Sequence, residues 1–273
     1  MGQPVKDALI VSLLSMAPRK TGARTMGWFA RTGVSGLVTR AFVAAYGVDL
    51  DEATGDLADY PTLESLFTRE LKADRRPIDA DPDAIVSPVD GRVALVGTTR
   101  GGRIDVVPGK PIDVAELIGK DPPGECDIAV LYLSPKDYHR VHVPLEGQAV
   151  RWRYVPGTLW PVFPAAVRRV DHLFSKNERA VVHCETAAGP LDVVLVGAFG
   201  VGRITLEICD LITNTGGKAA DEEVSTPLER GALLGTFHLG STVVLCAPAG
   251  TWDWTVAAGD AVRFGNTIGK RGT

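Results

Sequence analysis

Apolar and polar positions change rhythm twice along the chain, and the changes divide it into three stretches. Residues 8–16 (ALIVSLLSM) form a short apolar run, well below the roughly twenty residues that cross a bilayer. Pro18 and the polar RKTGAR interrupt it. A second stretch from Met26 to Val48 sets Trp28, Phe29, Leu37, Val38, Phe42, Val43 and Tyr46 among Arg31 and Arg40. Arginine in mid-segment argues against a spanning helix and for helices lying in a membrane interface. Packing on the body or on a partner subunit is the competing reading, and a cleaved signal peptide is a third, with an unconvincing cleavage region.

Residues 49–59 are acidic and poor in large apolar side chains, as in a connector. The segment 62–78 (TLESLFTRELKADRRPI) predicts one helix, with Thr62 as N-cap, a largely apolar stripe at Leu63, Leu66, Phe67, Glu70 and Leu71, and Pro77 as its end. From Ile85 onward, short Val and Ile runs alternate with Gly, Pro and Asp, a β pattern with little room for long helices. The expected architecture is α+β: a β-rich, mostly antiparallel core from about Asp83, preceded by amphipathic N-terminal helices. No internal repeat or low-complexity tract interrupts it.

Thirty glycines and eighteen prolines fit many short strands joined by tight turns. With 45% hydrophobic residues, 23% charged residues and a net charge of -4, the composition is ordinary for a globular protein, and nucleic acid is not expected as a partner. The charge is uneven, however. Residues 1–48 carry six basic residues against the single acid Asp7, a balance of +5 that leaves -9 for the remainder. A basic amphipathic start on an acidic body suits an anionic membrane surface. Cys126, Cys184, Cys209 and Cys246 are far apart with no CxxC pair, so they read as buried reduced thiols rather than a disulfide framework or a zinc site.

The densest site for proton transfer is DYHRVHVP, where His139 and His142 lie three apart. On one helix they would share a face, and on one straight strand they would oppose. Residues 134–137 (SPKD) predict a short helical turn capped by Ser134, and VHVPLEG a strand, which could bring both histidines to one pocket. Histidines also serve as hydrogen-bonded packing residues, and that reading stays open. Asp90 sits in SPVDGRV, where the Asp-Gly step marks a turn. Gly240 and Ser241 precede the strand TVVLCAP, so their plain reading is also a turn. Together, Asp90, a histidine and Ser241 supply an orienting acid, a base and a nucleophile.

FTRELKADRRPI, SPVDGRV, YHRVHVP, YVPGTL, NERAVV, VLVGAFGVGRI and HLGST, in that order, resemble runs of the phosphatidylserine decarboxylases over about Pro61 to Thr273. The resemblance implies self-cleavage between Gly240 and Ser241, with His142 as base and Asp90 as its orienting acid. It implies a large chain ending at residue 240 and a 33-residue small chain, 241–273, that stay partners. It also implies a pyruvoyl group made from Ser241, with no metal. That ketone would form a Schiff base with the amine of phosphatidylserine and release CO2, with His139 the first candidate to return a proton. Residues 61–273 would be the catalytic domain and residues 1–50 a membrane-associating segment, peripheral on the cytoplasmic face of the cell membrane. A homodimer stays open.

Two departures stand out. Trp160, Pro161 and Pro164 follow PGTL where a Ser-Val-Asn-like run is usual, and Arg203 replaces a smaller residue. Two other readings compete. PVDGRV and AGDAVRFGNTIG (258–269) also look like the hairpins of a lipoyl or biotinyl carrier, but PVDGRV offers no lysine. A serine hydrolase using Ser241, His142 and Asp90 would lack a GxSxG elbow.

Overall fold

The computed structural model describes residues 19–122, 124–199, 203–238 and 242–272. The apolar run 8–16 and the pair Gly240 and Ser241 therefore lie outside the described residues.

Two helices open the described chain, Arg19–Arg31 and Gly36–Tyr46. The polar RKTGAR, expected to interrupt the apolar run 8–16 that lies outside the described residues, is itself helical, since Arg, Lys and Ala are good helix formers and Ala23 and Ala30 anchor one face in full burial. The break falls instead at Thr32–Ser35, where the Ser35 hydroxyl donates to the Ala30 carbonyl and accepts the Leu63 N–H at 2.8 Å. Ala30, Val48, Leu63, Leu66 and Phe67 close a small core beneath the helices. The opposite face leaves Leu37 82% and Trp28 63% exposed.

The helix expected over 62–78 is only Leu63–Phe67. Thr62 caps it as expected, accepting the Ser65 N–H at 3.0 Å. It stops because Leu71 bridges to Ala53, while the buried Arg69 guanidinium donates to the carbonyls of Leu66, Lys136 and Asp137. Tertiary hydrogen bonds here override a helical period.

The remainder is β structure: β1 (Ala84–Val86), β2 (Gly91–Thr98), β3 (Arg103–Val107), β4 (Lys110–Asp113), β5 (Cys126–Tyr132), β6 (Arg140–His142), β7 (Gly147–Val155), β8 (Arg179–Thr186), β9 (Gly189–Val196), β10 (Ile204–Leu206), β11 (Ala220–Leu228), β12 (Leu233–Phe237), β13 (Thr242–Pro248), β14 (Trp252–Trp254), β15 (Ala261–Val262) and β16 (Thr267–Arg271). Eight of them form one antiparallel sheet in the order β11-β7-β8-β9-β13-β5-β2-β15. Two three-stranded sheets, β10-β12-β6 and β1-β16-β14, cover one face. There Leu131, Leu195, Val243 and Leu245 pack on Ile85, Val141, Phe237 and Ile268. The other face carries Ile128, Val130, Val194 and Val244 against Leu117, Val167 and Phe174 from short helices. Burial on both faces explains the unbroken apolar runs.

Cys126, Cys184 and Cys246 are buried and free, whereas Cys209 is only half-buried, a correction to the expectation of four buried thiols. Its loop leaves the sheet after β10.

Glycine is required where β2 begins. A Cβ on Gly91 would lie 2.4 Å from the Tyr132 carbonyl oxygen, and backbone of a central strand cannot yield. Gly91→Ala should cost roughly 1–3 kcal/mol by overpacking. Denaturant unfolding checks this, and a loss below about 0.5 kcal/mol would contradict so tight an approach.

Candidate active site

Asp90 ends the turn that leads into β2 and is buried with both oxygens engaged. Arg76 Nε donates to Oδ1 at 2.9 Å and Nη2 to Oδ2 at 2.5 Å, a bidentate pair. The Phe264 N–H donates to Oδ1 at 2.8 Å. Arg76 Nη2 also donates to Glu52 Oε2 at 2.6 Å, and Glu52 Oε1 accepts from Arg263 at 2.9 Å. Burial opposes the charge on Arg76, but the bonds to Asp90 and Glu52 outweigh it and raise its pKa. The Arg76 hydrogen bond likewise lowers Glu52. The connector, the turn and the C-terminal strands thus meet at one guanidinium.

His142 ends β6. Its Nδ1 lies 2.8 Å from the Gly231 carbonyl and its Nε2 2.9 Å from the Tyr138 hydroxyl. A carbonyl only accepts, so Nδ1 carries the proton, and Nε2 accepts from Tyr138. The ring stacks on Phe264 at 3.7 Å between centroids. Asp90 therefore reaches His142 through Phe264, and the tautomer that the sequence reading has Asp90 hold is set by the Gly231 carbonyl. Burial lowers His142 to about 4.

His139 is wholly buried, its Nδ1 2.7 Å from the Asp137 carbonyl and its ring edge-on to Phe67. Burial lowers it to about 3. Its Nε2 has no partner among the described residues. The turn expected at 134–137 is a single turn, closed by the Asp137 N–H donating to the Ser134 carbonyl at 3.0 Å, but Ser134 does not cap it by accepting: its N–H and hydroxyl both donate to the Asp137 carboxylate.

Gly240 and Ser241 lie outside the described residues, but the strands flanking them fix where the chain arrives. β12 runs antiparallel to β6 with Leu233 opposite His142, and the Phe237 N–H donates to the His139 carbonyl at 3.0 Å. Of the two histidines, His139 is thus the one beside the end of β12 that leads to residue 241. β13 starts at Thr242, opposite Tyr132 of β5, and Gly91 abuts Tyr132 from the other side. With strands about 4.8 Å apart, Asp90 and Thr242 stand at one end of the sheet on either side of β5. Thr242 Oγ1, like His139 Nε2, is buried without a partner among the described residues.

A family profile described as phosphatidylserine decarboxylase matches residues 63–270. A phosphatidylserine decarboxylase proenzyme of Myxococcus xanthus (strain DK1622) is 39% identical, covering 97% of this chain and 99% of its own length. One from Anaeromyxobacter sp. (strain K) is 40% identical with the same coverage, and one from Marinobacter nauticus is 35% identical over 97% and 98%. The chain belongs to the phosphatidylserine decarboxylase family.

For a phosphatidylserine decarboxylase family chain, the sequence pointed to Asp90, His139 and His142; the fold sets Asp90 and His142 around Phe264, Tyr138 and Arg76, and packs His139 on Phe67. Phe264, Tyr138 and Arg76 were missed. Arg76 lay inside the quoted run FTRELKADRRPI and Phe264 inside AGDAVRFGNTIG, but neither run says which carboxylate or ring its residue meets. The two carrier-like segments do pair, Ala261 opposite Arg92 and Val262 opposite Gly91, and so build the Asp90 turn. Among the described residues no group of three or more His, Cys, Asp or Glu is placed to hold a metal.

Arg76→Ala would strand a buried carboxylate, at a cost of roughly 3–5 kcal/mol. Arg76→Lys keeps the charge and should recover part of it. Equal loss in both variants, measured by urea unfolding, would argue against the pair.

Both histidines are lowered on folding, so the unfolded chain binds more protons below pH 6.5. Their contribution is fully present above that pH and is lost as pH falls toward 4 and then 3. In Ser241→Ala, stability should fall by about 1.4 kcal/mol per pH unit for each histidine as the pH drops from 6 to 5. A flat profile there would show that the histidines are not buried neutral.

Proposed function

We propose that the chain is the precursor of a pyruvoyl-dependent phosphatidylserine decarboxylase, which cuts itself between Gly240 and Ser241 and then converts phosphatidylserine to phosphatidylethanolamine and CO2. The observation that carries this reading is the gathering of Asp90, both histidines and the strand ends flanking residues 239–241 at one end of the sheet, in a chain of this family. Thr242 Oγ1 and His139 Nε2, both without a partner among the described residues, suit a new carbonyl group at position 241.

In maturation the Ser241 oxygen attacks the Gly240 carbonyl carbon, breaking the C–N bond and forming an ester. Elimination then leaves a carboxylate on Gly240 and a dehydroalanine at 241, which gains water and loses ammonia to give the ketone. His142 takes the serine proton. Its free lone pair is on Nε2, so the proton passes through the Tyr138 hydroxyl, which extends the base's reach. Asp90 acts through Phe264, as a positioning residue for the imidazole. Orienting a hydroxyl against its neighbouring carbonyl is where the fold contributes most, with effective molarities of roughly 10⁵ to 10⁸ M.

In turnover the pyruvoyl group supplies a carbonyl electron sink for an amine substrate. His139, beside the end of β12, is the first candidate to deliver a proton to the carbon left by CO2, with His142 the second.

A lipid substrate fits two further features. A groove of about 380 Å³ between the N-terminal helices and the loop 161–163 is lined by Phe42, Tyr46, Phe67, Tyr132 and Phe199, which gives the divergent loop an apolar role. Residues 1–50 present exposed Trp28, Leu37 and Val38 beside exposed Arg24, Arg31 and Arg40, as an interfacial segment does. No described helix is long and apolar enough to cross a membrane. We place this segment on the cytoplasmic face of the cell membrane.

His142→Ala should leave the chain uncut. His139→Ala should mature yet release CO2 from phosphatidylserine vesicles about 10² to 10⁴ times more slowly. Tyr138→Phe should slow cutting without unfolding the chain. Gel analysis and trapped CO2 check all three, and the reverse pattern for the two histidines would overturn the assignment.

A further inference from the structure

Arg203, one of the two departures from the family's pattern, stands directly across from the segment that leads to Ser241. Its carbonyl accepts the His238 N–H at 3.1 Å, and His238 is three residues before the serine. Its Nη1 donates to Glu64 Oε1 at 2.9 Å, and the same oxygen lies 2.8 Å from His238 Nδ1. Burial would raise Glu64, but the hydrogen bond and charge of His238 and the charges of Arg203 and Arg31 outweigh it and hold the carboxyl below its usual range. Glu64 is thus a fixed anion that aims Arg203 and His238.

Beside this pair opens a cavity of about 470 Å³ lined by Arg24, Arg31 and Arg203, with Ala23, Gly27 and the segment 212–215 completing it and no acid among the described lining. Arg24 is held in place, its Nε donating to the Asn214 carbonyl at 3.0 Å. The Asn214 N–H in turn donates to the buried Glu178. Gly216 leaves room for the guanidinium, since a Cβ there would lie 3.2 Å from Arg24 Nη2. Glu64 offsets one of these three charges, through its pair with Arg203 and the nearby charge of Arg31, so the cavity wall keeps an excess of positive charge that a further anion would offset, and forked guanidinium donors match phosphate oxygens. Trp28, on the same helix as Arg24 and Arg31, is exposed at 63%, which sets the cations at the depth where lipid headgroups meet acyl chains.

We infer that this cavity binds the phosphodiester of the lipid substrate, with Arg203, Arg24 and Arg31 as donors, so that the short serine arm of the headgroup extends toward position 241. The inference rests on the decarboxylase reading and adds a headgroup specificity site to it. An anion held there also leaves the substrate carboxylate without an arginine partner, which suits its departure as CO2.

The test uses full-length matured enzyme and dihexanoyl phosphatidylserine below its micellar concentration, so that membrane attraction plays no part. Arg203→Gln and Arg24→Gln should each complete self-cleavage by intact mass, raise KM about ten-fold or more and change kcat by less than about two-fold. Inorganic phosphate should inhibit the wild type competitively, and the variants about ten-fold less well. Arg203→Gln also frees Glu64, so Arg24→Gln, which among the described residues gives up a hydrogen bond to the Asn214 carbonyl and no ion pair, is the cleaner arm.

Unchanged KM and unchanged phosphate inhibition in Arg24→Gln would overturn the inference, as would a defect seen only on anionic vesicles. Phosphate inhibition that does not compete with the lipid would mark a site for free phosphate instead. A wild-type chain that stays uncut or releases no CO2 would refute the decarboxylase reading itself.

Discussion

One guanidinium holds the site together. Arg76 binds Asp90 through two nitrogens and Glu52 through one of them, and Asp90 in turn fixes the Phe264 backbone, whose ring lies on His142. The N-terminal connector, the turn before β2, the C-terminal strands and the His142 ring are therefore placed by one buried ionic contact. Such a contact adds little to stability against a well-packed apolar alternative, and is costly only when one partner is lost. Its effect here is geometric. It sets where β2 begins, and so how closely Gly91 can approach Tyr132.

The second constraint is the register of β12 against β6. It puts His139 and His142 at opposite ends of a short ladder, with His139, of the two, beside the end of β12 that leads to residue 241. Two histidines three apart can then be buried, neutral and adjacent yet face different tasks. On its other edge β12 pairs with β10, Phe237 opposite Ile204, and that register sets Arg203, the cation that departs from the family's pattern, against His238.

The β-rich core, the N-terminal helices and the segments that build the site were legible in the sequence because burial on both faces of the sheet writes unbroken Val and Ile runs, and because the site's turns need Asp, Gly and Pro. The helix at 62–78 was overread, since its period cannot show that Leu71 would be claimed by Ala53 and Arg69 by the carbonyls of residues 136 and 137. Asp90 and the histidines could be picked out singly, but not the path between them. Phe264 is 174 residues from Asp90, and no local pattern reports such a partner.

The central claim is that this chain makes its own prosthetic group. Intact mass of the purified protein under denaturing conditions tests it directly. A self-processed chain yields two fragments meeting between Gly240 and Ser241, the smaller of 33 residues, lacking a free amino terminus and gaining hydrogen on borohydride treatment. A single uncut chain, or a small fragment with an ordinary serine amino terminus, would contradict it.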